Sequence, residues 1–371
     1  MKDKQIFLFA SFGNLDEVPA GGGQTSARRL LNTLVRIGYR VKPTNRHRPI
    51  SNNRFLFRFE VLFWAFVDPI LFALRLLFMS RKKSLVLFIG YSGAMLPMET
   101  VIGLLVRLLG YKVIFFLKGG GAKSLYENGS FIYRLLFKYS IRLYNEVFVE
   151  GEENAGLIHE ISNTSVFYLP NFTEDGFAPE KLSKKPESPI NIIYFGRICN
   201  DKNVLLILDI YDKICDLLQN TNLTVIGDGD KGYLNKVKKR IEISHNKKTI
   251  SLMSKQNHDY LKSILEKQHF FLFPSSEKRE GHSNALNEAM AWGVVPIVSD
   301  NNFLPSIVGD DSLVVHDMDI SSYVGIIQDL IQNKGLYDIK SQQVYDRVRC
   351  NFTQTIVENK LNEEIKKIYN F

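Results

Sequence analysis

Residues 270–300 read FFLFPSSEKREGHSNALNEAMAWGVVPIVSD, and this stretch decides the fold. Two short apolar runs, 270–273 and 295–298, enclose a polar loop, a helical pattern and the turn residue Gly293. Apolar runs without polar alternation are typical of strands buried on both faces, and a helix between two of them indicates a parallel crossover. The stretch therefore predicts a strand–helix–strand unit of a parallel α/β sheet.

The same alternation of short apolar runs and helical patterns extends along the whole chain, which is long enough, at 371 residues, for two domains. Its predicted strands are 6–10, 85–89, 113–117, 146–149 and 166–169, followed by 190–195, 223–226, 250–253, 270–273, 295–298 and 313–315. We expect an α/β fold of two doubly wound, Rossmann-like domains that face each other across a cleft. The expected boundaries are an N-terminal domain at 1–171, a polar linker at 172–189, a C-terminal domain at 190–350, and a helix at 351–371 that packs back on the first domain.

The composition excludes several classes of protein. Hydrophobic residues make up 45% and charged residues 23% of the chain, which is typical of a globular protein rather than a disordered chain, a coiled coil or a collagen-like repeat. The three cysteines, Cys199, Cys215 and Cys350, are odd in number and widely spaced. They support neither a disulfide framework nor a zinc site, so we expect a reducing compartment.

Positive charge is concentrated at the start of the chain, around its most apolar stretch. Residues 1–83 hold 15 Lys and Arg against 5 Asp and Glu, and Phe55–Met79 carries only four charges. Its length could span a bilayer, but these charges and Asp68-Pro69 argue against a span and predict a helix broken or kinked at the proline. The basic residues that flank the stretch are Arg46, Arg48, Arg54, Arg81, Lys82 and Lys83.

Apolar residues between basic flanks favour docking on an anionic membrane surface, although a core helix remains an alternative. Nucleic acid is disfavoured, because no aromatic residues are spaced along a basic groove. The chain opens with Met1-Lys-Asp-Lys directly before a strand, without the pattern of a secretory signal. We therefore expect a cytoplasmic protein, peripheral on the inner face of the cell membrane.

Two carboxylates in the opening stretch are candidate ligands for hydroxyl groups. Glu280 lies in the loop after a strand, and Glu288 lies in the helix that Ser283 or Asn284 can cap. A capped helix start suits a phosphate, and two carboxylates nearby can accept hydrogen bonds from a sugar or a ribose. The alternative is an acidic loop followed by a solvated helix residue.

Two glycine-containing turns follow other predicted strands of the second half. Gly196 ends one strand, and Arg197 and Lys202 follow it, so two cations above a strand edge could clamp a diphosphate. Alternatively they are simply solvated. Gly227 and Gly229 end the next strand, where the missing side chains would let the backbone approach a ligand.

The first half contains weaker candidates. Gly22 and Gly23 precede a helix, and Lys118 and Gly119 follow a strand, so both segments could cradle an anion or form ordinary turns. Two Asp-x-Asp triplets, 228–230 and 317–319, have no further carboxylate or histidine cluster around them. We therefore expect no metal site.

Together these motifs resemble family 4 of the retaining glycosyltransferases, which have the GT-B fold, over most of the chain. Glu280 and Glu288 match the family's Glu-x7-Glu signature, and Gly196-Arg197 with Lys202 resembles its diphosphate site. The remaining matches are Gly227-Asp228-Gly229, the interdomain Pro170-Asn171, the first glycine-rich loop at Gly22-Gly23, and the segment 304–309.

The resemblance implies transfer of a sugar from a nucleotide diphosphate, UDP-linked, to a hydroxyl of a lipid-linked or cell-envelope glycan. It implies retention at the anomeric carbon, no metal, and no cofactor besides the nucleotide sugar as co-substrate. The implied catalytic residues are Glu280, Arg197 and Lys202. The implied nucleotide-sugar ligands are Gly22, Gly23, Gly196, Gly227, Gly229, His282, Ser283, Asn284 and Glu288, with Glu288 on the ribose.

Two positions depart from that family pattern. Many members have a histidine where this chain has Lys118 and Gly119, which we retain as weak acceptor-side candidates. The glycine that commonly follows the family's lysine is Asn203 here.

Three other classes of protein remain open from the sequence. One is an inactive nucleotide-sugar-binding partner in an envelope complex, and another is a nucleotide-sugar epimerase of similar architecture. A dinucleotide-dependent oxidoreductase is disfavoured, because no Gly-x-Gly-x-x-Gly motif follows the first strand.

Overall fold

The structure is a computed structural model that describes residues 4–17, 22–47, 51 and 53–370, without the side chain of Arg54. It contains two compact units: residues up to 169 together with those from 358 onward, and residues 170–357. Each unit is built on a six-stranded sheet whose described strand pairs are all parallel.

In the first unit the strand order is β2-β1-β3-β4-β5-β6. These strands are β1 (Gln5–Ala10), β2 (Arg40–Asn45), β3 (Ser84–Gly90), β4 (Lys112–Leu117), β5 (Glu146–Val149) and β6 (Ser165–Tyr168). The helices of this part of the chain are α1 (Gly22–Arg36), α2 (Arg54–Leu76), α3 (Leu96–Leu108), α4 (Ala122–Glu127), α5 (Phe131–Ile141) and α6 (Glu152–Ile161). All seven residues of β3 are buried, as expected for a central strand covered on both faces.

In the second unit the strand order is β12-β11-β10-β7-β8-β9. These strands are β7 (Ile190–Phe195), β8 (Thr221–Ile226), β9 (Ile250–Met253), β10 (Phe270–Phe273), β11 (Val295–Ser299) and β12 (Val314–Val315). The helices that follow α6 along the chain are α7 (Val204–Leu217), α8 (Lys231–Ile243), α9 (His258–Leu265), α10 (Asn284–Met290), α11 (Leu304–Val308), α12 (Ile320–Gln332), α13 (Lys334–Asn351) and α14 (Gln354–Asn370). The expected doubly wound α/β architecture is therefore confirmed for both halves of the chain.

Strand β2 is absent from the sequence prediction. Its residues, Arg-Val-Lys-Pro-Thr-Asn, lack an apolar run because β2 is an edge strand, where polar side chains and a proline are tolerated. It nevertheless pairs in register with all six residues of β1.

Helix α2 continues through Pro69, so a break at Asp68-Pro69 is wrong, whereas the alternative expectation of a kink at this position stays a prediction. A proline inside a helix removes one backbone hydrogen bond. Burial of the following residues Phe72 and Leu76 against the core of the first unit offsets that loss. Among the described residues, no helix combines the length and the apolar character needed to cross a bilayer.

The end of α14 packs on the first unit. Arg36 pairs with Glu358 at 3.2 Å, the hydroxyl of Tyr39 donates to Asn362 Oδ1 at 3.2 Å, and Tyr369 donates to the carbonyl of Gln5 at 2.7 Å. These contacts tie the last helix to β1 and α1, whereas the preceding α13 belongs to the second unit.

Candidate functional site

The second sheet brings two loops together at its topological switch point. Strands β7 and β10 are neighbours, but β8 lies on one side of this pair and β11 on the other. The loops that leave β7 and β10 therefore separate in opposite directions and open a crevice at the carboxyl edge, where ligands of parallel α/β sheets bind. Arg197 and Lys202 follow β7, and Glu280 follows β10.

Lys202 is the centre of the charged cluster in this crevice. It is only 5% exposed, and its ammonium contacts Glu280 and lies 2.8 Å from an oxygen of Glu277. Glu280 is also buried and accepts a hydrogen bond of 2.6 Å from the hydroxyl of Ser275. A buried ammonium requires such partners, because an unpaired charge in a protein interior is costly.

Glu277 connects Arg197 to this cluster. The sequence does not predict Glu277 as a site residue. Arg197 Nη2 lies 2.8 Å from both carboxylate oxygens of Glu277. Burial alone would raise the pKa of Glu277, but Lys202 and Arg197 outweigh burial and hold this pKa below its usual range. A single acidic residue in a polar loop carries no sequence signal, so only the fold could reveal this contact.

The two glycine turns run side by side with no space for side chains. A Cβ on Gly227 would lie 1.8 Å from the carbonyl oxygen of Gly196, and one on Gly229 would lie 1.7 Å from that of Ile198. The amide of Ile198 donates to the carbonyl of Asp228 at 2.9 Å. Glycine is therefore required here by the close approach of two backbone segments.

The departure at Asn203 has a structural explanation. Asn203 adopts the left-handed conformation, with φ 52° and ψ 42°, which glycine adopts most readily and asparagine next. Its side-chain amide donates to the carbonyl of Pro274 at 2.8 Å and to the hydroxyl of Ser276 at 3.0 Å. Asparagine thus retains the turn and also ties the loop after β7 to the loop after β10.

The sequence candidates on and just before α10 are partly or fully buried. Ser283 caps α10 through a bond from the amide of Leu286, and Asn284 and Glu288 are half-buried on this helix. His282 is buried with its ring edge against Phe352, 4.9 Å between centroids, and its carbonyl accepts from Asn171 at 2.6 Å. His282 is therefore held within the packing of the second unit beside the Pro170-Asn171 segment.

The remaining sequence candidates lie in the first unit, at the carboxyl edge of its sheet. Gly22 and Gly23 begin α1, and a Cβ on Gly23 would lie 2.6 Å from the hydroxyl oxygen of Tyr91. Lys118 is buried and paired with Glu150, which also accepts the amide of Gly119 at 2.8 Å. Burial lowers the pKa of Lys118, although Glu150 opposes this effect.

A polar cluster on α2 is also absent from the sequence prediction. The buried carboxylate of Asp68 accepts the backbone amide of His47 at 3.0 Å and contacts Nδ1 of its ring at 2.5 Å. That ring stacks on Trp64 with 3.9 Å between centroids. Together with Arg46 and other residues these side chains line a cavity of about 190 Å³. No sequence motif indicates the contact between His47 and Asp68, because the two residues lie 21 positions apart in the chain.

The carboxylates of the Asp-x-Asp triplets have ordinary structural partners. Asp230 caps α8 by accepting the amides of Gly232 and Tyr233, and Asp319 caps α12 by accepting the amide of Ser321. Within the described ranges, no group of three or more His, Cys, Asp and Glu side chains is arranged to hold a metal ion.

Comparison with known proteins finds a family model and two curated relatives. Residues 178–347 match the model of the family "Glycosyl transferases group 1". The chain is 23% identical over 250 residues to a subunit of the phosphatidylinositol N-acetylglucosaminyltransferase of Arabidopsis thaliana, and 25% identical over 259 residues to the capsular polysaccharide biosynthesis glycosyltransferase CapH of Staphylococcus aureus. The alignments cover 66% and 62% of this chain, but 53% and 67% of the respective relatives.

The fold extends the similarity to nearly the whole chain. The crystal structure of HepE from Anabaena, in complex with UDP, superposes with a TM-score of 0.71 over 98% of this chain and 100% of that one, at 10% identity. Such a low identity supports the two-domain GT-B fold alone. The family match adds that residues 178–347, which lie within the second unit, are similar to the group 1 glycosyl transferases, a family of transferase enzymes.

Proposed function

We propose that this protein transfers a sugar, with retention, from a UDP-linked donor to a hydroxyl of a lipid-linked or cell-envelope glycan. The observation that carries the proposal is the convergence of Arg197, Lys202 and Glu280 at the switch point of a group 1 domain. The relatives support the acceptor class, since one is named for phosphatidylinositol and the other for capsular polysaccharide. HepE, in complex with UDP, supports the donor class.

The proposed chemistry follows from charge on the leaving group. As the bond from the sugar to the diphosphate breaks, negative charge grows on the diphosphate oxygens, and Arg197 and Lys202 stabilise it. Each charge-assisted contact can contribute about 1.5–3 kcal/mol, or roughly ten- to a hundredfold in rate. Glu280 is positioned by Lys202 and Ser275 to hold donor-sugar hydroxyls, and Glu288 is assigned to the ribose.

The acceptor is assigned to the first unit. Its sheet edge carries Lys118, Gly119 and the His47–Asp68 pair, and a histidine with Nδ1 fixed by a carboxylate can accept a hydroxyl hydrogen bond at Nε2. Helix α2 of the same unit has a strongly apolar outer face, whose exposed members include Phe55, Phe59, Leu62 and Phe63, and Phe78 is exposed just after the helix.

That outer face supports the proposal of a peripheral protein on the anionic inner face of the cell membrane. The exposed residues Phe131 and Ile132 at the start of α5 add to the apolar surface of the same unit. Arg81, Lys82 and Lys83 follow α2 after the short connection 77–80, and cations near an apolar surface favour anionic lipid. Of the other flanking residues named from the sequence, Arg48 lies outside the described residues.

The test combines donor binding with product analysis. UDP should raise the unfolding temperature of the full chain, because a ligand that binds only the folded state stabilises it. Arg197→Ala and Lys202→Ala should each lower kcat/KM by tenfold or more, whereas Lys334→Ala, which removes an exposed cation paired with Glu187, should change it less than twofold.

The products distinguish the remaining classes. Transfer to an acceptor, or slow hydrolysis of the donor, is expected for the proposed enzyme. Release of an epimerised nucleotide sugar would instead identify an epimerase, and binding without any turnover would identify a binding partner. Loss of transfer in EDTA would contradict the metal-independent mechanism.

A further inference from the structure

Glu277 contacts both cations that the proposed function assigns to the donor diphosphate. Its carboxylate lies 2.8 Å from Arg197 Nη2 and 2.8 Å from Lys202 Nζ. Its backbone carbonyl accepts the side-chain amides of Asn301 and Asn302 at 3.1 and 3.0 Å, which fixes the main chain of the loop after β10. The carboxylate can therefore swing about a fixed backbone position.

The two glutamates of the cluster are held very differently. Glu280 is buried and keeps the hydroxyl of Ser275 as a second partner, whereas the side chain of Glu277 is 22% exposed. Among the described residues, only the two cations contact the Glu277 carboxylate. If Glu277 moved away, Lys202 would still be paired with Glu280, so this buried ammonium would not be left alone.

We propose that Glu277 sets the affinity of the donor site by competing with the diphosphate for Arg197 and Lys202. This inference rests on the proposed function. Anionic phosphate oxygens and a carboxylate require the same guanidinium and ammonium hydrogen bonds, so binding exchanges one anion for the other. A ligand that binds only the fraction of molecules with the cations released has its apparent affinity lowered by that fraction.

If Glu277 competes with the diphosphate, variants that weaken its contact with the cations should bind the diphosphate more tightly. Glu277→Gln removes the competing charge, so it should tighten binding of UDP and of inorganic pyrophosphate by about tenfold. A factor of this size is expected if Glu277 engages the cations of the ligand-free wild-type protein about nine-tenths of the time. Glu277→Asp keeps the charge but shortens the side chain by one methylene group. It can no longer reach both cations at once, so it should tighten binding by a smaller factor.

The experiment is isothermal titration of the full chain with UDP, pyrophosphate and uridine. Uridine carries no phosphate, so its affinity should be the same in all variants. Glu187→Gln is the matched control, since it removes an exposed glutamate paired with Lys334 and precedes β7 at the opposite edge of the sheet. It should leave every affinity unchanged.

The outcomes separate this inference from the function on which it rests. Equal or weaker UDP binding by both Glu277 variants, in a protein whose UDP binding is weakened by Arg197→Ala and Lys202→Ala, would overturn the inference and leave the donor site intact. UDP binding that is absent, or indifferent to both cations, would overturn the proposed function itself. Thermal unfolding of each variant verifies that it is folded, and Glu277→Asp retains the charge if Glu277→Gln does not fold.

Discussion

Gly227 is a residue at which the backbone leaves little freedom for substitution. Its φ is 155°, and a Cβ at this position would lie 1.8 Å from the carbonyl oxygen of Gly196, so both the conformation and the space exclude a side chain. We expect Gly227→Ala to lower the free energy of unfolding by about 1–3 kcal/mol and to weaken UDP binding, because the two turns must separate. Denaturant unfolding and UDP titration measure both effects.

Gly325 offers the matched control for that substitution. It lies inside α12, and no heavy atom lies within 4 Å of a Cβ placed on it. Gly325→Ala should therefore raise the free energy of unfolding by roughly 0.5–1 kcal/mol, as alanine does at unstrained helix positions. Equal effects of the two alanines would contradict the steric explanation.

At the scale of single residues, the sequence predicts those site residues whose type alone indicates their chemistry. Arg197, Lys202 and Glu280 were assigned to loops after two different strands, and in the structure their side chains lie together. Glu277 could not be assigned, because an acidic loop residue becomes significant only when the fold brings it onto two cations. The same holds for His47, whose partner Asp68 lies within an otherwise apolar helix.

Helix α2 has many apolar side chains that the first unit leaves exposed. Phe55, Phe59 and Leu62 are all exposed, and moving each of them from water into a bilayer interface would contribute about 1.5–3 kcal/mol if it were fully buried. Replacing these three residues with serine should lower binding to vesicles containing phosphatidylglycerol by tenfold or more, as measured by co-sedimentation.

The control for α2 uses exposed apolar residues elsewhere. Val35, Leu217 and Ile243 are also exposed but belong to three other helices, so their replacement with serine should leave vesicle binding unchanged.

Binding should weaken in vesicles of phosphatidylcholine alone, because the basic residues after α2 would lose their anionic partners. Membrane binding that survives the α2 substitutions would contradict the docking proposal.

The prediction of elements succeeded where burial produces continuous apolar runs. The runs 190–195 and 270–273 coincide with β7 and β10, because parallel strands inside a sheet are covered on both faces. Strand β2 was missed because an edge strand does not need this pattern. The break expected at Pro69 was wrong because tertiary packing can compensate for one lost hydrogen bond.

At the scale of the whole molecule, the class of the fold was predictable but the order of its strands was not. Alternating strands and helices imply parallel sheets, whereas the neighbours of each strand depend on packing between distant segments. The switch point between β7 and β10 is a property of this order. The crevice that joins Arg197 to Glu280 therefore emerges only in the assembled sheet.

Attachment of α14 to the first unit creates a pH dependence of stability. Burial, reinforced by the neighbouring Glu364 on α14, raises the pKa of Glu146 from 4.5 to about 8. Between these values the folded chain binds a proton that the unfolded chain has lost, so stability decreases as the pH rises from about 4.5 to 8.

Glu146→Gln removes this titration while retaining the shape of the side chain. The variant should unfold at a temperature a few degrees above wild type at pH 8.5, and the difference should shrink towards pH 5, where Glu146 is protonated in the folded protein. Glu363→Gln, on the exposed side of α14, should follow the wild-type curve. Parallel curves for wild type and Glu146→Gln across this range would show that Glu146 titrates normally, and that α14 docks without burying a carboxyl group.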